Sequence, residues 1–361
     1  MAITRLTKRK FKAVCFYLSS WMVATVGTAA LVRYGSGGAV DVGNILFMLQ
    51  LSLFMGLSHG IYDVVVLQDE MDHRPAWLAM LIRSTFFLCS ICVNLILCSL
   101  LWTAHNGGAL ITEDSLQNVF EMFKQSENQA LIIELFLIAH LITFIRSVHK
   151  KFGSRVFVNT LLGKYQDPRE EELIFMFIDL RRSTAIAEEL GHVTYSNFLK
   201  DYYKLLSNCC EENRGEIYQI AGDGAFITWK TSLCKKKARP INLFFDFAEC
   251  LEKTKHRFLR KYGVGPEFKA GAHCGKVIST EVGNFGSEMA YHGDVLNATS
   301  RIQSLCSKLG QEFLISDELF MILPKPLPHG YICKKEGFFE LRGRKKEILI
   351  FSLQNPLTSL K

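Results

Sequence analysis

Charge is scarce in this chain. Only 21% of its 361 residues are Asp, Glu, Lys or Arg, against 49% hydrophobic, and the mean hydropathy is positive. That balance is too apolar for an ordinary soluble protein, and the length allows two or three domains. No basic stripe is interleaved with stacking aromatics, so nucleic acid is not the expected partner despite a formal charge of +7. The run Lys235-Lys236-Lys237-Ala238-Arg239 reads as a solvated loop or a patch near anionic lipid. The eleven cysteines lack paired zinc spacing. The one CxxC, Cys89 and Cys92, falls inside an apolar run where thiols serve as packing residues. A reduced compartment without a disulfide framework follows. Internal repeats and low-complexity segments are absent too.

What is abundant is apolar sequence crowded into the first 150 positions. Four stretches are long enough to cross a bilayer: Phe11–Leu31, Ile45–Leu67, Ser84–Trp102 and Ala130–Ile145. The first is too long for a cleavable signal peptide, and three more follow it. Arg5, Lys8, Arg9, Lys10 and Lys12 precede the first span, Arg74 and Arg83 flank the second-to-third connection, and Arg146, Lys150, Lys151 and Arg155 follow the fourth. The other connections carry little beyond Arg33 and Lys124, so both termini and everything after the fourth span are expected on the cytoplasmic side. Residues 103–129 form the sizeable external loop, with an amphipathic stretch near Leu116–Phe123. Within the spans, Asp63 and Arg83 lie near the cytoplasmic ends and can snorkel. His59 and His140 lie deeper, where they serve either as a ligand, metal or proton site or as hydrogen-bonded bundle residues.

The second region alternates strand and helix patterns. Leu173–Ile178 predicts a buried strand. Glu216–Gln219 and Ala225–Trp229 predict a hairpin around Gly222-Asp223-Gly224. Tyr195–Glu212, Asn242–Tyr262 and Val295–Leu309 read as helices; Phe268–Cys274, Phe313–Ser316 and Glu347–Leu353 read as strands. Two carboxylates stand out. Asp179 ends the apolar strand, and Asp223 sits in the glycine-flanked turn. A carboxylate at the tip of a buried strand, paired with one in a tight hairpin, can hold two divalent cations, the arrangement that in-line attack on phosphate needs.

These segments resemble the catalytic domain of the class III adenylyl and guanylyl cyclases over about residues 153–355. Asp179 follows its strand as the family's first aspartate does, and Asp223 lies in a G-D hairpin at family spacing, 44 positions on. Gly293-Asp294-Val295-Leu296-Asn297-Ala298-Thr299-Ser300-Arg301 matches G-D-x-V-N-x-A-[ST]-R, and Arg342-Gly343 matches a late [KR]-G. Together with the apolar spans before it, this gives an expected membrane domain of four transmembrane helices (1–148), a connecting transducer helix (149–170), a cytoplasmic catalytic domain (171–355) and a short tail (356–361). The catalytic fold it implies is an α/β class III nucleotidyl cyclase, an α+β sandwich with a mainly antiparallel sheet.

The resemblance also implies the chemistry. ATP would become cyclic AMP and pyrophosphate on two Mg²⁺ or Mn²⁺ ions held by Asp179 and Asp223. Leu180, Arg181, Arg182, Ser183 and Thr184 would wrap the phosphates through backbone N–H groups. The family usually has Gly where Arg182 stands, so that side chain is either a phosphate contact or a solvated one. Asn297 and Arg301, four apart on one helix face, would orient the ribose and stabilise charge at the α-phosphate. Arg342 occupies the place of a phosphate-binding Lys, with Arg344, Lys345 and Lys346 as rivals. The base would meet Gln219 and Ala290, where adenylyl cyclases often have Lys with Asp or Thr, and guanylyl cyclases Glu and Cys. A Gln amide can read either purine. The missing Glu favours ATP over GTP and leaves a guanylyl or dual-specificity enzyme as the alternative. A catalytically silent nucleotide-binding receptor is a further alternative, against which the retained Asp179, Asp223, Asn297 and Arg301 argue. One catalytic domain per chain implies a head-to-tail homodimer with two shared sites.

Overall fold

The computed structural model describes residues 5–36, 42–65, 75–105, 112–152, 167–283, 288–341 and 347–355. The chain divides into two compact units, residues 1–154 and 155–361. The expected connecting helix over 149–170 falls mostly on 153–166, and that stretch and the tail 356–361 lie outside the described residues.

The first unit is helical: α1 (Arg5–Ser36), α2 (Val42–Val65), α3 (Ala76–His105), α4 (Glu113–Lys124) and α5 (Ser126–Phe152). Its core takes Tyr17 and Trp21 from α1, Leu51 and Met55 from α2, Phe87, Ile91 and Leu95 from α3, and Leu135, Ala139 and Ile142 from α5. Large apolar residues also point outward on the same four helices, among them Val23, Leu53, Val93 and Leu137, as expected where lipid replaces water. Among the described residues three helices are long and apolar enough to cross a membrane, within Ile45–Val64, Trp77–His105 and Asn128–Val148. This corrects the expected count of four. α1 is long enough, at 32 residues, but Lys12, Ser19, Ser20, Thr25 and Thr28 dilute its apolar content. Within the expected external loop 103–129, Glu113–Lys124 form the amphipathic α4.

Several polar residues inside this bundle are partnered, while among the described residues His59 Nε2 and Arg83 Nε are buried without a hydrogen-bond partner. The Trp21 indole N–H donates to His59 Nδ1 at 3.2 Å. His140 Nε2 lies 2.9 Å from Ser84 Oγ, and its Nδ1 2.9 Å from the Phe136 carbonyl. Asp63 pairs with Arg146 at 2.8 Å and lies 3.9 Å from Arg83. Arg146 also donates to the Ala13 carbonyl at 3.3 Å. One carboxylate thus ties α2 to α3 and α5, and Arg146 carries the link on to α1.

The second unit is built on an eight-stranded sheet: β1 (Arg169–Leu180), β2 (Glu216–Ala221), β3 (Gly224–Lys230), β4 (Phe268–Val282), β5 (Glu288–His292), β6 (Phe313–Ser316), β7 (Ile332–Phe339) and β8 (Ile348–Gln354). The order is β2-β3-β1-β4-β6-β8-β7, with β5 paired to β4 off this path. All pairings are antiparallel except β4 with β6. The chain's helices here are α6 (Ser183–Leu190), α7 (His192–Glu212), α8 (Thr231–Cys234), α9 (Arg239–Tyr262), α10 (Val295–Leu309) and α11 (Asp317–Ile322).

Side-chain alternation on β1 decides where the chemistry sits. Ile174, Met176, Ile178 and Leu180 face the main core, with Phe198, Tyr202 and Leu206 of α7 and Phe244, Phe247 and Leu251 of α9. Leu173 and Phe175 take the other face, beside Val277 and Val295. Asp179 is in phase with these two, so it emerges on the α10 side. α10 covers that face by burying Ala298, Ile302, Leu305 and Cys306 against Leu314, Ile348 and Ile350.

Candidate active site

Asp179 is the next-to-last residue of β1, opposite Gly224 of β3 and Lys269 of β4. Asp223 lies in the two-residue turn that joins β2 to β3. Gly222 begins that turn with a left-handed φ of 63°, the conformation that a turn with glycine at its first central position requires. The turn folds back on β1, and the Leu180 N–H donates to the Asp223 carbonyl at 3.4 Å. Tyr203, reaching from α7, places its hydroxyl 3.0 and 3.1 Å from the carbonyls of Gly222 and Gly224. Burial first, and then the negative charge of Asp223, hold Tyr203 above the usual tyrosine range, so its hydroxyl remains a donor. Both carbonyls flanking Asp223 are therefore fixed by one half-buried side chain.

The two carboxylates act on each other. Burial and then the charge of Asp223 push the Asp179 carboxyl above the usual aspartate range. The charge of Lys269 and the hydrogen bond from Gln303 pull it back. Lys269 Nζ lies 3.5 Å from Asp179 Oδ2, and Gln303 Nε2 donates to the same oxygen at 2.9 Å. Like charges in a half-buried place suit a divalent cation, which would relieve both the repulsion and the desolvation. Among the described residues no group of three or more His, Cys, Asp or Glu is placed to hold a metal. Two carboxylates fit an ion of the Mg²⁺ type, which completes its shell with water and substrate phosphates.

Asp179 opens onto a cleft of about 590 Å³ whose wall includes Leu180, Arg181, Arg182, Ser183, Thr184, Glu267 and Lys269. Two of the expected phosphate-wrapping groups are committed elsewhere. The Leu180 N–H serves Asp223, and the Arg181 N–H donates to the Glu267 carbonyl at 2.8 Å. The Arg181 guanidinium is turned toward Glu312 at 3.7 Å. The backbone contribution narrows to the start of α6, where Ser183 and Thr184 are first-turn residues without an intrahelical acceptor. Arg182 precedes them with φ 57° and makes no side-chain cap. It is an L-residue in a conformation natural to glycine.

The remaining expected residues lie apart from this pair. Asn297 is exposed and Arg301 half-buried on α10. Gln303 of that helix grips Asp179, and Arg301 is two residues earlier, roughly 200° around the axis. Asn297, six residues before Gln303, is about 120° off, so neither it nor Arg301 shares the helix face that meets Asp179. Gln219 is exposed on β2, the edge strand. Ala290 is on β5, opposite Thr280. The neighbours of these two meet, with the rings of Tyr218 and Tyr291 4.8 Å apart and both packed on Phe175. That contact draws together the segments carrying Gln219 and Ala290. Arg342 lies outside the described residues. Gln303, Tyr203 and Lys269 were not predicted from sequence. The one available signal was Gln303, a polar residue beside Ile302 and Cys306 on the apolar stripe of α10.

Residues 165–355 match the model of the adenylate and guanylate cyclase catalytic domain. The chain is 28% identical over 352 residues to adenylate cyclase 2 of Rhizobium meliloti (strain 1021), a match covering 95% of this chain and 91% of that protein. It is 26% identical over 202 residues to the receptor-type guanylate cyclase Gyc76C of Drosophila melanogaster, covering 55% of this chain and 13% of that one. Among solved structures, a bacterial light-regulated adenylyl cyclase shares the fold, with a TM-score of 0.50 and 16% identity over 64% of this chain and 66% of that chain.

Proposed function

The chain belongs to the family of adenylate and guanylate cyclase catalytic domains, and from that premise we propose that it is a membrane-bound adenylyl cyclase. Its reaction is ATP to 3′,5′-cyclic AMP and pyrophosphate, at sites shared by two copies. The observation that carries this reading is the carboxylate pair Asp179 and Asp223, of which Asp179 opens onto a cleft that reaches the start of α6.

Asp179 and Asp223 would hold two Mg²⁺ or Mn²⁺ ions. When bound, such ions acidify the ribose 3′-hydroxyl and neutralise triphosphate charge. The Ser183 and Thr184 N–H groups, with Lys269, bind the phosphate chain from the cleft wall. In the same site, Asn297 of the second copy orients the ribose and Arg301 of the second copy faces the α-phosphate. The 3′-hydroxyl gives up its proton to solvent, and its oxygen bonds to the α-phosphorus as the bond to the bridging oxygen breaks and pyrophosphate leaves. Catalysis is then positioning and charge neutralisation. Gln219, with backbone near Ala290, meets the base. The placement of Asn297 and Arg301 off the helix face that meets their own Asp179 supports a shared site. The likeness to Rhizobium meliloti adenylate cyclase 2 over nearly the whole of both chains supports ATP.

The helical unit anchors the enzyme, with the catalytic unit on the cytoplasmic side. The pairing of Asp63 with Arg146 joins the end of α2 to the end of α5, on the side where Lys and Arg gather in the sequence. Product analysis of purified full-length protein given ATP or GTP, with Mg²⁺ or Mn²⁺, tests the proposal. Cyclic AMP formation is expected. Cyclic GMP alone would make it a guanylyl cyclase, and no product in a folded dimer would make it a silent nucleotide-binding protein.

A further inference from the structure

Gln303 is a buried polar residue on the face of α10 that otherwise buries apolar side chains, and it is 4% exposed. An amide in such a place is costly to bury unless it finds a partner. Its partner is Asp179, whose Oδ2 accepts from Gln303 Nε2 at 2.9 Å. The contact depends on a close approach of helix to sheet. Gly271 of β4 stands opposite Phe177 of β1, two residues from Asp179 on the same face. A Cβ on Gly271 would lie 2.3 Å from the Gln303 backbone nitrogen. Only the missing side chain lets α10 rest on β4, and from there the Gln303 amide reaches across to the strand end.

The same oxygen, Oδ2, has Lys269 at 3.5 Å, and Lys269 in turn donates to Ser307 at 3.2 Å. Protein donors therefore gather on one carboxylate oxygen and leave Oδ1 for a cation. Lys is a flexible point charge, whereas a planar amide locked under a helix fixes direction. The amide is also neutral, so it aligns the carboxylate without cancelling the charge a cation needs.

We propose that Gln303 is a positioning residue that locks Asp179 with Oδ1 turned to the metal ions; this rests on the two-metal reading above. The groups that orient a ligating carboxylate typically govern metal affinity by about 10–100-fold. Gln303→Met keeps the volume and loses the donor. Gln303→Asn keeps an amide that falls one methylene short. Binding of Mn²⁺ to the full-length dimer, in the presence of 3′-deoxy-ATP, which lacks the nucleophile, is read by electron paramagnetic resonance, with Asp179→Asn as reference and thermal melting as a check on folding. Both Gln303 variants are expected to bind Mn²⁺ about tenfold more weakly, with the KM for ATP at saturating metal little changed. If one variant fails to fold, the other gives the same reading. Wild-type Mn²⁺ affinity in a folded Gln303 variant, with binding lost in Asp179→Asn, overturns the positioning role alone. Unchanged binding in Asp179→Asn overturns the metal assignment, and the inference falls with it.

Discussion

Two regions of the catalytic unit carry the proposed chemistry, and they are finished to different degrees within one chain. Around Asp179 and Asp223 the work is done locally. Tyr203 holds the carbonyls beside Asp223, Gln303 grips one oxygen of Asp179, and a cleft opens beside them. Asn297 and Gln219 are exposed, one on α10 and the other on the edge strand β2. The Ser300 hydroxyl donates to the Asn297 backbone carbonyl and leaves its amide untouched. A rigid half and an open half in the same chain suit a site that is closed by a second copy. Metal affinity should then be a property of one chain, and turnover a property of two.

The largest effect expected comes from the finished half. Asp179→Ala or Asp223→Ala should abolish cyclisation while leaving folding and dimerisation intact, since the loss is of ligands at a site whose catalysis is electrostatic. Assays under saturating Mg²⁺ check this, and near-full activity in either variant would remove the two-metal assignment. The comparison between halves is tested more sharply by mixing. An Asp179→Ala chain and an Arg301→Ala chain, each inactive alone, should regain activity together, because a mixed dimer holds one intact site. Mixed dimers that form and stay silent would break the shared-site reading.

A smaller effect is expected on the open half. Gln219→Glu puts an acceptor-only carboxylate beside the base. Guanine offers N–H donors there, whereas the N1 of adenine would be left unpaired. A mispaired polar group costs about 1–3 kcal/mol, so the ATP:GTP ratio of kcat/KM should move toward GTP by roughly tenfold or more. Steady-state kinetics with both nucleotides measure it. An unchanged ratio would mean that Gln219 does not meet the base.

The same contrast explains what was legible in the sequence. The tip of β1, the β2–β3 hairpin, α10 and β6 are visible because each is set by local pattern and turn chemistry. β4 was expected to stop at Cys274 and runs on to Val282. Gly275 and Lys276 interrupt its apolar run, and its second half pairs with the charged start of β1, where Lys276 meets Glu170 at 2.7 Å. β7 was missed because Lys334, Lys335 and Gly337 disguise an edge strand with a register shift. Asp179 and Asp223 stand in recognisable local contexts. Gln303 and Tyr203 do not, since each acts across the fold; Gln303 is 124 residues from its partner. Gly271, which permits that contact, looks like any strand glycine until the helix is laid over it.

The smallest expected effect concerns Arg182, which lines the cleft in a left-handed conformation. An L-residue there costs about 1–2 kcal/mol through its Cβ. Replacement by glycine relieves that cost but returns about 0.5–1 kcal/mol in extra chain entropy. Arg182→Gly should therefore raise stability slightly, by about 0–1.5 kcal/mol. If the guanidinium meets the triphosphate, the same change removes an exposed charge-assisted contact of about 1 kcal/mol and should raise the KM for ATP about fivefold with little change in kcat. Arg182→Lys keeps both the backbone strain and the charge, and should keep most of the affinity. Thermal melting and steady-state kinetics on the same preparations separate the two terms. A stabilised Arg182→Gly with an unchanged KM would mark Arg182 as a solvated side chain, leaving phosphate binding in this cleft to the N–H groups of α6 and to Lys269.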